Sequence, residues 1–190
     1  MTDWQYTPKL DRRVCLTGTM DGDDTLWTLP GGLEDDTLDT IVLGPDHSEY
    51  SGFVLTPDSN SGGEVRLEGD YTAGPVVIGR SYNMVGKPTK PFPRGRDNAG
   101  IVEGKRYLTS VRAIHLNTGF YRIIRSMAGR VNKIQQFDTP SEGTPQVWGS
   151  LLAWCNGNLD LMSFTIQSNS AYPVTITSIE YQLDHEARRG

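Results

Sequence analysis

Apolar and polar residues alternate with a period of two in short runs, and each run is stopped by glycine, proline or aspartate. Such runs are the signature of β-strands with one buried face. Val14 and Leu16 open the first run, and Asp21-Gly22-Asp23-Asp24 supplies turn chemistry after it. Thr25 to Leu29 form the next strand, closed by Pro30-Gly31-Gly32. Further strands are expected at Leu38–Leu43, Tyr50–Leu55 and Glu64–Leu67, with Thr56–Gly63 as a polar loop. Pro75 to Tyr82 is rich in β-branched residues, which suit a pleated, half-buried surface. Residues 105–116 and 119–126 read as a hairpin turning at Asn117-Thr118-Gly119. Val131–Phe137, Gln146–Trp154 and Asp160–Ser168 follow as strands, the last with Met162, Phe164 and Ile166 on one face. In the final run Val174 and Ile176 share one parity, while Ile179, Tyr181 and Leu183 share the other. That switch predicts a β-bulge near Thr177-Ser178, because one extra residue moves every later side chain to the opposite face.

No segment carries apolar residues at i, i+3, i+4 and i+7 over three turns. The expected fold class is therefore all-β: an antiparallel β-sandwich or barrel-like domain, or domains, with long loops and little helix. Lys87 to Arg96 packs three prolines and four bases into ten residues, which neither a helix nor a central strand tolerates. The expected organisation is an extended arm over 1–11, an acidic β-rich region over 12–86, a Pro-rich basic loop over 87–100 and a β-sandwich-like region over 101–190.

Composition narrows this picture. The chain has 190 residues, with 21 glycines and 11 prolines, too many turn formers for a helical bundle. No run of about 18 apolar residues exists to span a membrane, and residues 1–20 lack a signal-peptide pattern. Net charge is −5, but residues 1–70 hold 15 acids against 4 bases, and residues 71–190 hold 8 against 14. Cys15 and Cys155 are expected as reduced core thiols, since an unpaired cysteine behaves as a small hydrophobe.

Candidate chemistry is sparse. His47, His115 and His185 are far apart, and neither cysteine has a C-x-x-C neighbour, so no zinc spacing exists. The acidic turns at Asp21/Asp23/Asp24 and Glu34/Asp35/Asp36 lack calcium-loop spacing and read as solvated turns. Gly100 to Arg106 mimics a phosphate loop but has three residues between its glycines, where four are needed. Ser81 lacks a nucleophile elbow, and His115 sits in a strand pattern. No enzyme activity and no cofactor are expected. Lys87, Lys90, Arg94 and Arg96, with Phe92 among them, are the candidate contacts to a neighbouring subunit or to passing DNA. Trp27, Trp148 and Trp154 are expected in the core, with a role as sugar-stacking platforms as the alternative.

Four stretches, taken in order, carry a resemblance. They are Leu10-Asp11-Arg12-Arg13-Val14-Cys15-Leu16-Thr17-Gly18-Thr19; Gly69-Asp70-Tyr71 with Val76 to Tyr82; Leu108 to Ile124 around Asn117-Thr118-Gly119-Phe120-Tyr121; and Phe164 to Tyr181 around Ser170-Ala171-Tyr172-Pro173. Together they are similar to motifs in the C-terminal part of the tail nozzle proteins, or tail tubular proteins B, of short-tailed bacteriophages. The chain departs from the family pattern at Ser81, where the family has proline, and over Lys87–Arg96, where it has strand. The resemblance implies a virion structural protein made in the host cytoplasm, a ring subunit of the DNA ejection conduit. It further implies partners among copies of itself in a hexameric ring, other tail proteins (adaptor, nozzle, fibres) and DNA in transit. The alternative from another class is a carbohydrate- or receptor-binding β-sandwich module of a tail or cell-surface protein.

Overall fold

The computed structural model describes residues 8–31, 37–91, 105–139 and 144–186. The fold is all-β: four antiparallel sheets, none closed into a barrel, and no α-helix among the described residues. The strands form two compact units.

Unit 1 comprises residues 1–83 together with 139–146 and 169–173. Its first sheet has the order β1 (Leu10–Thr17), β8 (Pro75–Ser81), β4 (Thr40–Leu43), β5 (Val54–Leu55). Its second has the order β2 (Thr19–Asp21), β3 (Asp24–Thr28), β7 (Glu64–Glu68), β6 (Ser59–Ser61). Trp27, Val65 and Leu67 from the second sheet and Ile41, Leu43, Val76 and Ile78 from the first share one buried cluster, so the unit is a small sandwich. Two-residue turns set the register of its hairpins. Asp21 pairs Asp24 across Gly22-Asp23, and Ser61 pairs Glu64 across Gly62-Gly63, both of which hold positive φ. Only glycine adopts two such residues in succession without a steric penalty.

Unit 2 comprises residues 84–138, 147–168 and 174–190. One sheet has the order β13 (Gln146–Asn158), β10 (Lys105–Thr118), β15 (Thr175–Glu186). The other has the order β12 (Arg130–Asp138), β11 (Phe120–Met127), β14 (Met162–Ser168), β9 (Met84–Gly86). Leu108, Val111 and Cys155 of one sheet pack with Met162 and Phe164 of the other, and Ala113 and Ala153 pack with Tyr121, Ile123 and Ile166. The bulge expected near Thr177 is present. Ile114 pairs Ser178 while His115 pairs Ile176, leaving Thr177 extra, and its hydroxyl donates to the Ile114 carbonyl at 3.1 Å.

Several local expectations are corrected. Residues 105–126 do not form a hairpin: β10 and β11 lie in different sheets, and Asn117 (φ 43°) starts a corner that carries the chain between them. The hairpin in this region is β11–β12, with Met127 opposite Arg130 and Gly129 at φ 71°. Leu10 and Asp11 belong to β1 rather than to an arm, and residues 1–7 of that arm lie outside the described residues. Pro45–Tyr50 is a 3₁₀ segment, so the strand expected from Tyr50 begins at Val54. The expected loop Thr56–Gly63 contains β6. Cys15 is exposed rather than buried, because it sits between Val14 and Leu16 and faces the other side of the strand. Cys155 is buried as expected.

Candidate functional site

The four bases singled out from the sequence divide into two that the structure describes and two, Arg94 and Arg96, that lie outside the described residues. Strand β9 pairs with the edge of β14, with Ile166 opposite Gly86, and the proline-rich segment continues from it. The segment is tied at two points of unit 2. The Tyr181 hydroxyl donates to the Thr89 carbonyl at 3.3 Å, and the Lys90 ammonium donates to the Asp160 carbonyl at 2.7 Å. Lys90 is therefore engaged at a strand connection. Lys87 stands exposed at the rim of a groove of about 660 Å³ whose walls include Ile166, Ile176, Ile179 and Tyr181.

The more conspicuous feature of unit 2 is on the outer face of its three-stranded sheet. Along β13, Gly149, Ala153 and Cys155 face inward, and Trp148, Ser150 and Trp154 face out. Trp148 is 64% exposed and Trp154 55% exposed, which corrects the expectation that both lie in the core. Inward small residues explain the inversion, because the opposite sheet fills that space with Tyr121 and Phe164. Trp27, in contrast, is buried in unit 1 as expected.

Beside Trp154 the sheet opens a cleft of about 290 Å³ over Ser110, Arg112, Glu180 and Gln182. These side chains line up because Ser110 pairs Gln182 and Arg112 pairs Glu180 across the ladder. Arg112 and Glu180 approach to 3.7 Å, and the Ser110 hydroxyl donates to the Gln182 amide oxygen at 3.2 Å. The ion pair is about half exposed on both sides, so its worth to stability is small, and both groups stay available to a ligand. An indole face beside planar hydrogen-bonding groups suits a polar ring compound.

Among the described residues, no three His, Cys, Asp or Glu side chains gather as a metal site. His115 is fully buried, its Nδ1 3.0 Å from the Tyr121 hydroxyl, with the Phe137 ring tilted against it at 4.2 Å between centroids. Its environment is that of a packed core residue. No described helix is long and apolar enough to cross a membrane. Compared with known proteins, the sequence matches no family model and no curated protein.

Proposed function

We propose that this chain is a structural subunit of a bacteriophage tail, a β-rich component of the ring that conducts DNA out of the particle. The observation that carries the reading is how the four family-like stretches relate in space. The first, at β1, pairs with the second, at β8, with Leu10 opposite Ser81. The third runs through β10 and β11, and the fourth through β14 and β15. They pair strand for strand, β10 with β15 and β11 with β14. Segments far apart in sequence thus pair directly, and the centre of the fourth stretch, residues 169–173, returns to unit 1, where Ala171 packs against Leu10 of the first.

In this reading the partners are copies of the same chain and neighbouring tail proteins. Closed head-to-tail rings need two different complementary surfaces per subunit, and Lys87 with Lys90 contributes to one of them. The test is proteomics of purified virions combined with the mass of the purified protein in solution. The expected result is stoichiometric presence in particles; absence from them rejects the reading.

A second reading is favoured by one observation, the exposure of Trp148 and Trp154 beside the Arg112–Glu180 cleft. It makes unit 2 a carbohydrate- or receptor-binding module. On a glycan array the wild-type chain is then expected to retain a defined set of sugars, and Trp154→Ala to lose them at least tenfold. Equal retention by both proteins counts against it.

A further inference from the structure

Strand β11 alternates in burial, and its inward residues are Tyr121, Ile123 and Arg125. An arginine therefore stands where the pattern calls for an apolar core residue. Arg125 is 8% exposed. Its Nη1 donates to the Cys155 carbonyl on the facing sheet, and its Nε has no hydrogen-bond partner. Among the described residues, no carboxylate pairs with it. A guanidinium stays protonated at any ordinary pH, so this charge is held in the protein without a counterion. Such burial is costly, and one carbonyl offsets only part of the cost.

The neighbours add to the imbalance. Lys133 lies directly opposite Arg125 in the β11–β12 ladder, and Arg130 lies opposite Met127 on the same face. Like charges placed directly across a ladder repel. All three cations line one cleft of about 400 Å³, closed on the other side by Trp154, Cys155 and Asn156 of β13. Among the described residues, no acidic one lines it.

We propose that this cleft binds a phosphate group. The argument for phosphate over a carboxylate is charge count. Three cations converge, and a phosphate monoester brings about −1.5 to −2 charges and three strong acceptor oxygens, where a carboxylate brings one charge. Arginine offers the guanidinium edge that the Cys155 carbonyl leaves free, lysine a mobile point charge, and the Trp154 ring walls the entrance. The phosphate is either a free anion, which carries that charge by itself, or part of a nucleic-acid strand, whose phosphodiesters carry one charge each and meet the three cations as successive units, with Trp154 stacked on an adjoining base. The site is separate from the groove at Lys87 and does not depend on the tail reading.

The test measures thermal unfolding of the full chain in inorganic phosphate, or with a ten-nucleotide thymidylate oligomer, against chloride at equal ionic strength. A ligand that binds only the folded form raises the midpoint, by roughly 5 °C at a hundredfold excess over its Kd. Two variants guard against misreading. Lys133→Glu, at an exposed position, puts a carboxylate opposite Arg125; it is expected to raise the midpoint in chloride and to abolish the phosphate effect. Arg125→Met removes the buried charge and is expected to fold, since apolar replacement of a buried ion is often neutral or stabilising. It too loses the phosphate effect. Stabilisation by inorganic phosphate alone assigns a free anion, and stabilisation by the oligomer assigns a phosphodiester strand. A midpoint that rises equally in wild type and Lys133→Glu reflects a general salt effect and overturns the proposal, as does no rise at all.

Discussion

Trp27→Ala is expected to remove about 3–5 kcal/mol from the stability of unit 1. Trp27 is fully buried and is the largest side chain of a cluster fed by both sheets. Its β3 position pairs with Val65 of β7, and its ring lies 6.4 Å from that of Tyr71. The indole also explains Gly18. A methyl group there would fall 2.8 Å from Trp27 Nε1 and 2.3 Å from Thr25 Cγ2. The glycine is thus kept for close approach, and truncating the indole leaves a void the backbone cannot easily close. With a urea slope of about 1–3 kcal/mol per molar, the midpoint of unit 1 is expected to fall by roughly 1–5 M. Trp27→Phe, which keeps a ring in place, is expected to recover more than half of that loss. An unchanged midpoint for Trp27→Ala would place the energetic centre of the unit elsewhere.

Tyr121 plays the equivalent part in unit 2, with a pH dependence added. It is fully buried, and its ring packs against His115 and Phe137 with centroids 5.4 and 5.6 Å away. Tyr121→Ala is expected to cost about 3–5 kcal/mol, and Tyr121→Phe, which loses the hydroxyl's contacts to His115 Nδ1 and to the Ala113 carbonyl, about 1–2 kcal/mol. Burial pushes the Tyr121 phenol well above its usual range. Burial also pushes the Cys155 thiol up to about 11, against the pull of the Arg125 charge. Both groups therefore keep their protons in the folded state at pH values where the unfolded chain has released them. Their contribution is fully present below about pH 9 and is lost as pH rises through the thiol range, then through the phenol range. Urea midpoints measured between pH 7 and 11 are expected to fall on the alkaline side. Cys155→Ala removes the earlier part of the fall. A flat profile in the wild type would show that neither proton is retained.

How far the sequence anticipates the structure depends on the kind of information involved. The parity switch around Thr177 is local and follows from side-chain alternation, so the bulge can be read directly from the apolar pattern. The Asp21–Asp24 turn is equally local. Which strands share a sheet is a different matter. Residues 105–126 carry good turn chemistry at Asn117, yet the turn serves a corner between sheets, because a chain entering a new sheet needs positive φ as much as a hairpin does. The tryptophans fail for a related reason. Nothing in the alternation of β13 says which parity faces in, and size argues for the indoles. The decision is made by the opposite sheet, whose Tyr121 and Phe164 leave room only for Ala153 and Cys155. Arg125 is hard to read from the sequence for a related cause: the run holds both Arg122 and Arg125, and only the register places Arg125 on the core face. The signal that would have found it is the strict alternation of Tyr121, Ile123 and Arg125.

The return of residues 169–173 to unit 1 bears on how the protein is made. Ala171 packs with Leu10, Val42 and Val77, and its carbonyl accepts from the Lys9 amide at 2.7 Å. A ribosome that has emitted residue 83 has therefore not delivered all of the first sandwich. At about 5–20 residues per second, the missing piece arrives roughly 4–17 s later, a wait long compared with the microseconds in which hairpins form. During that interval Val42 and Val77 lack part of their cover, as does β10, whose partner β15 is later still. The nascent chain thus carries open apolar strands through most of its synthesis. Those open strands are the segments most exposed to aggregation before the fold is complete.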